Sequence, residues 1–346
     1  MQLGITLKLA GATPQPDMDS VLEAERLGFS QVWTGESYST DAISPVAWVL
    51  ARTTKIKAGT GIMQIPARTP ACAAMTAMTL QALSGNRFLC GVGVSGPQVV
   101  EGWHGVRFGK PMTRTKEYIA IIRQILAREK PLTFAGEEYV IPYAGPDASG
   151  LGKPLRSIIH GDPSLKFYTA SITPAGLRTA GEAADGTLPI FYSPHQPEIV
   201  SAPILEGMKK AGRTPSLAGF DVAPYVQVRL GEDVAACRDL IRPELALYIG
   251  GMGARSKNFY NDVARKLGYA EAAAKIQDLY LDGKKNEAAA AVPDALIDEI
   301  SLVGPAARIR DQLAAWKAAG RAGHVGTMVL RGASKEAMRL IAEAVL

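Results

Sequence analysis

The residues with the clearest capacity for chemistry sit where short β-like runs stop. Glu36 follows Val32-Trp33-Thr34-Gly35. A carboxyl held against an indole and glycines loses water, which raises its pKa and suits it to acid–base work. The alternative is a carboxylate that accepts bonds from local backbone N–H groups and orients a loop. His104, beside Trp103, is placed to move protons or to pack on a ligand. Ser171-Ile172-Thr173-Pro174 opens a helical pattern, and such a start offers orphan N–H groups and a positive dipole end to an anion. The plainer reading makes Thr173 an N-cap. Arg68, Arg178, Arg255 and Lys257 could add positive charge, or could be solvated surface residues.

Other chemistries find no support in the spacing. His160, His195 and His324 have no partners at metal-ligand intervals, and HExxH, HxH and GxSxG are all missing. Lys57 and Lys166 fall at the wrong ends of their strands for a Schiff base. The hard chemistry is therefore expected from an organic cofactor.

Glycines mark the same strand ends. Gly59-Thr60-Gly61-Ile62-Met63 and Gly91-Val92-Gly93-Val94-Ser95-Gly96 each follow a β-like run and lead toward a helix. The second string resembles GxGxxG, but Pro97 through Gly105 reads as a long loop, so a dinucleotide fold is rejected. In a closed parallel barrel all strand ends share the face that carries the active site. A glycine rim there lets backbone approach a large, flat, partly polar ligand.

The elements that must hold these residues alternate along the chain. Strands are expected at 2–7, 31–34, 56–60, 87–91, 167–170, 186–190, 222–228 and 325–330. Helices are expected at 18–27, 44–52, 69–83, 111–128, 174–184, 197–211, 305–319 and 334–345. That count predicts an α/β fold, a (β/α)8 TIM barrel in one domain over residues 1–346. Insertions are expected at about 132–164, a hairpin then a Gly/Pro-rich loop, and at about 232–299, mostly helical. The 47 % hydrophobic and 21 % charged composition suits a sizeable core. The 38 basic residues against 33 acidic ones form no basic run, which argues against nucleic acid and leaves room for an anionic small molecule. Three scattered cysteines suggest no disulfide framework. With no signal peptide and no apolar run long enough to span a membrane, a cytoplasmic location is expected.

In this order the motifs resemble the bacterial luciferase-like superfamily, and within it the deazaflavin (coenzyme F420) oxidoreductases. The matching pieces are Ala24 to Phe29 leading to Val32 to Glu36, Gly59 to Ile62 with Arg68-Thr69-Pro70, and Arg87 to Gly93. Gly161-Asp162-Pro163, Ala183 to Gly186 and Leu302 to Pro305 follow. The resemblance implies a luciferase-like barrel that holds F420 at the C-terminal strand ends and passes a hydride to or from a small-molecule substrate. A non-prolyl cis peptide is implied at Gly61-Ile62, backing the ring. Glu36, Ser37, Gly61, Ile62, Met63, Gly93 and Ser95 would line the ring; Ser171, Ile172 and Thr173, with Arg178, would hold the phosphate. Relatives often carry Asp-His where this chain has Glu36-Ser37, so His104 or a water would supply the proton, and sugar-phosphate dehydrogenation is put in doubt. A homodimer is also implied. The alternatives are an FMN-dependent monooxygenase of the same fold and a non-catalytic flavin-binding protein.

Overall fold

A computed structural model describes the backbone of residues 1–346 and every side chain except that of Ala10. Its sheet is parallel throughout. Gln2–Thr6 lies between Gln31–Thr34 and Thr327–Arg331. Beyond Gln31–Thr34 come Lys57–Thr60, Phe88–Gly93, Phe167–Thr169, Gly186–Thr187 and Asp221–Val222. Tyr225–Leu230 pairs with Thr327–Arg331 at the other edge.

The two edges belong to one stretch of chain, and this closes the sheet. Ala223 N donates to Thr187 O (2.8 Å) and Tyr225 N to Pro189 O (3.0 Å) on one side. On the other, Gly326 N donates to Val222 O and Val329 N to Pro224 O, both at 3.0 Å. Asp221–Leu230 is thus the seventh strand of an eight-stranded wheel, the architecture the sequence predicts. The expected unbroken strand over 222–228 is interrupted at Pro224, which has no N–H to give the ladder. Proline also ends the sixth strand early, at Pro189.

Elements form where their residues dictate. Thr69 caps Pro70–Ser84 by accepting from Cys72 N (3.2 Å), and Thr173 caps Pro174–Ala183 by accepting from Gly176 N (3.1 Å). Pro97, expected in a long loop, instead opens a short helix, Pro97–Gly102, because proline is preset for the first helical position. Loop conformation resumes at Trp103, and the barrel topology still excludes the dinucleotide fold. Ser301–Gly304, not foreseen as a strand, adds to Tyr225–Leu230 above the barrel. The first insertion carries the expected hairpin, Phe134–Ala135 with Val140–Ile141. The second runs through helices from Val234–Asp239 to Asp294–Ile300 around its own core, which includes Ile241, Leu245, Ile249 and Ile276.

Inside the wheel, Trp33, Leu89, Tyr168, Leu188, Ala223 and Val329 pack together. Below them Asp221 Oδ2 accepts from Gln31 Nε2, Tyr168 OH and Thr327 Oγ1, each at 3.0 Å, and Gln31 Oε1 accepts from Trp33 Nε1 at 2.9 Å. Burial and the neighbouring Asp221 push the Tyr168 phenol up, so it stays a donor. This plugged base leaves the C-terminal rim as the open end. Among the described residues no helix is long and apolar enough to cross a membrane.

Candidate active site

At the end of the third strand the Gly61-Ile62 peptide is cis. Met63–Gln64 then resumes pairing beside Phe88–Gly93, so the two residues form a bulge in the rim. Gly61 N donates to Thr34 O (2.6 Å), and Gly61 O accepts from Tyr225 OH (3.3 Å). A Cβ at Gly61 would stand 2.0 Å from the Tyr225 hydroxyl, and one at Gly93 would stand 2.6 Å from Ile62 Cγ1. Only glycine fits at these places, because the Tyr225 and Ile62 side chains pack directly against the backbone there. The Met63 side chain is buried in the core between sheet and helices, so Met63 offers the rim only its backbone. Ser95 sits on the next strand's exit with φ +60°.

Glu36 is buried but paired, and of the two readings of it the carboxylate that accepts from backbone N–H and orients a loop is the one seen. Its Oε2 accepts from Gln64 N (2.7 Å) and Arg68 NH1 (2.8 Å), and its Oε1 from Arg68 NH2 (2.9 Å). This is a fork-to-fork pair, with the two side chains only 17 % and 6 % exposed. Arg68, expected as one of several solvated charges, is therefore half of a built contact. Burial pulls its pKa down, but the bonds and charge of Glu36 outweigh that and hold it above the ordinary value.

Gln64, which the sequence reading passed over, joins the two predicted acid–base residues. Its Nε2 donates to Ser37 O (2.9 Å), so its Oε1 faces His104 Nε2 at 2.8 Å. That oxygen only accepts, hence Nε2 of His104 carries a hydrogen and Nδ1 is the atom free to exchange a proton. The structure thus brings Glu36, Ser37 and His104 together through Gln64. The signal for Gln64 was its place in the glycine-flanked segment 59–70, where only the backbone had been considered.

At the fifth strand's exit Ser171 Oγ lies 3.2 Å from Thr169 Oγ1, and Gly176 sits closely under Ser171 and Thr173 at the helix start. Both earlier readings of Thr173 hold in part: it is the N-cap, and it fronts a helix N-terminus. Ile172 packs toward the core of the second insertion. The Arg178 guanidinium pairs with Glu206 of Glu198–Lys210 (3.3 Å) across a half-exposed helix contact. Arg255 likewise pairs with Asp278, and Lys257 lies over the Phe259 ring.

Beside the bulge lies a small gap of about 20 Å³, room for about one water molecule, that the sequence reading does not single out. Phe191, at φ +56°, and Tyr225 form part of its wall. Phe191 stacks edge-on against Tyr248 (5.9 Å between centroids), which meets Tyr260 at 4.7 Å. The polar part comes from Gln227, Glu244, Ser301 and Arg331. The alternation Tyr225-x-Gln227 puts both side chains on one face of the strand and was the available signal.

A closed barrel with a glycine rim and a backbone bulge defines a luciferase-like (β/α)8 protein. The family model for luciferase-like monooxygenases matches residues 4–323, and the chain belongs to that family. It is 42 % identical over 344 residues to a Mycobacterium tuberculosis protein named as a coenzyme F420-dependent oxidoreductase, covering 99 % of this chain and 98 % of that one. It is 32 % identical over 229 residues to the 5,10-methylenetetrahydromethanopterin reductase of Methanolobus tindarius, covering 66 % and 65 %. The coenzyme F420-dependent tetrahydromethanopterin reductase of Methanopyrus kandleri shares the fold with a TM-score of 0.76 at 23 % identity, covering 100 % and 99 %.

Proposed function

We propose that this protein is an oxidoreductase that transfers a hydride between coenzyme F420 and a small organic substrate. The observation that carries the choice of deazaflavin over FMN is the near-full-length relative named for F420. The cis Gly61-Ile62 bulge at the C-terminal rim supports such a group, because it turns backbone rather than side chain toward the barrel mouth. Gly61, Ile62 and the Met63 backbone would back the ring, with Gly93 and Ser95 beside them. Ser171, Ile172 and Thr173 would hold the phosphate at the helix start. The deazaflavin, when bound, supplies two-electron hydride chemistry.

The chain's own residues do the rest. Glu36 and Arg68 lock the third-strand loop through Gln64, so Glu36 acts as a positioning residue. His104, through Nδ1, is the group in this network able to pass a proton. A substrate would meet the ring above the rim within near-attack reach, about 3–3.5 Å between reacting atoms. Helix Pro70–Ser84 leaves Met75 and Leu83 exposed, a face suited to the homodimer that light scattering would test.

Titration of the purified protein with F420 and with FMN is the deciding measurement. We expect F420 to bind at least about tenfold more tightly, a difference of about 1.4 kcal/mol. Tight binding of FMN alone reverses the assignment to the monooxygenase reading. Tight F420 binding with no hydride exchange with any acceptor establishes a carrier instead.

A further inference from the structure

The peptide groups that flank Gly61 are held from two sides of the barrel. Gly61 N–H donates to Thr34 O on the neighbouring second strand (2.6 Å), and Gly61 O accepts from the Tyr225 hydroxyl on the seventh strand (3.3 Å). The third and seventh strands are opposite walls of the wheel, so the second contact reaches across its width. Burial pushes the Tyr225 phenol well above its ordinary pKa, which keeps the hydroxyl protonated and able to donate. Gly35 closes another side of the carbonyl, where a Cβ would stand 3.3 Å from Gly61 O. The Tyr225 ring and the Ile62 side chain pack on the same internal layer, which contains Trp33 and Leu188.

Resting on the oxidoreductase reading, we infer that Tyr225 is a positioning residue. By donating to Gly61 O from across the barrel, it fixes the backbone that carries Ile62 and so sets the surface offered to the deazaflavin ring. The same loop has its other anchor at Gln64, whose N–H donates to Glu36 Oε2 (2.7 Å). Residues 61–63 are thus stretched between two fixed points, and the Tyr225 hydroxyl supplies the nearer one. A phenylalanine at 225 would keep the packing of the ring but leave the carbonyl without this donor, free to turn toward another.

Tyr225→Phe therefore tests the hydroxyl alone, with Tyr168→Phe as the matched control. Tyr168 OH is also buried inside the barrel, but it donates to Asp221 Oδ2 at the plugged base (3.0 Å). Hydrogen–deuterium exchange on the protein without cofactor reads the anchor directly. The peptide over residues 60–64 should exchange about tenfold faster in Tyr225→Phe, the effect of one lost hydrogen bond, and at the wild-type rate in Tyr168→Phe. Titration with F420 reads the consequence. Tyr225→Phe should raise Kd about tenfold and shift the visible absorption band of the bound cofactor, whereas Tyr168→Phe should leave both as in the wild type. Wild-type exchange over 60–64 in Tyr225→Phe overturns the inference, as does an unchanged Kd and band. Faster exchange throughout the barrel, a failure of Tyr225→Phe to fold, or equal weakening by the two variants makes this tyrosine general core packing and also overturns it. Failure of the wild type to bind F420 sinks the cofactor reading, while exchange in the free protein still decides whether Tyr225 holds the loop.

Discussion

Two arcs of the same rim are built on opposite plans. Along the second to fourth strands, Glu36, Arg68, Gln64 and His104 bond to one another or to backbone. Along the seventh strand and its neighbour Ser301–Gly304, three buried polar atoms, Asp221 Oδ1, Gln227 Oε1 and Ser301 Oγ, have no protein partner, against one, Thr34 Oγ1, on the second strand. The bonds among Glu36, Arg68 and Gln64 hold the third-strand loop in place, while His104 keeps Nδ1 free. The unpartnered atoms of the other arc carry a desolvation cost that a buried water can relieve.

The sharpest break in this contrast is Arg68→Ala. It strands a carboxylate whose side chain is 6 % exposed, and should cost about 3 kcal/mol, read as a lowered urea midpoint. An unchanged midpoint would mean the first arc is not scaffold at all. His104→Ala comes next: if Nδ1 moves the proton, kcat should fall roughly 100-fold and its acid–base profile flatten, while stability changes by under about 1 kcal/mol. A loss in KM alone would place His104 in binding instead.

Glu25 offers a control outside both arcs, since its Oε1 is saturated by backbone, accepting from Thr54, Lys55 and Ile56 N–H at 2.8, 2.6 and 3.0 Å. Burial raises its pKa, but these three bonds, with Arg87, outweigh burial and hold it below the usual 4.5. A lowered folded value means the stabilisation is complete above 4.5 and disappears as pH falls through the lowered value. Glu25→Gln should lose about 2 kcal/mol at neutral pH and show a flatter acid limb in unfolding titrations. The smallest effect belongs to the second arc: Glu244→Ala breaks a pair with Arg331 whose side chains are 28 % and 37 % exposed, costing about 1 kcal/mol. If it costs as much as Arg68→Ala, the two arcs are alike.

Local signals made much of the frame readable in advance. The Thr173 cap and the rhythm of alternating elements follow from short-range chemistry. The motif order pointed to the family and to a bulge at Gly61-Ile62. The pairing of Glu36 with Arg68 was out of reach, because it joins residues 32 apart across a loop whose path no periodicity describes. The Arg178 pair was hidden for a related reason: its place near a helix start is visible in sequence, but Glu206 lies on the next helix. Gln227 and Ser301, 74 positions apart with a helical insertion between them, become neighbours only through strand register.

The path of the seventh strand limits how this protein can diversify. One length of chain completes the ring below Pro224 and carries Gln227 above it. Lengthening or shortening that segment by a residue would turn its inward side chains outward and break the hydrogen bonds to both neighbouring strands. Change in this chain is therefore confined to side-chain exchange along the strand or to reshaping the helical excursion, while the strand itself keeps its length.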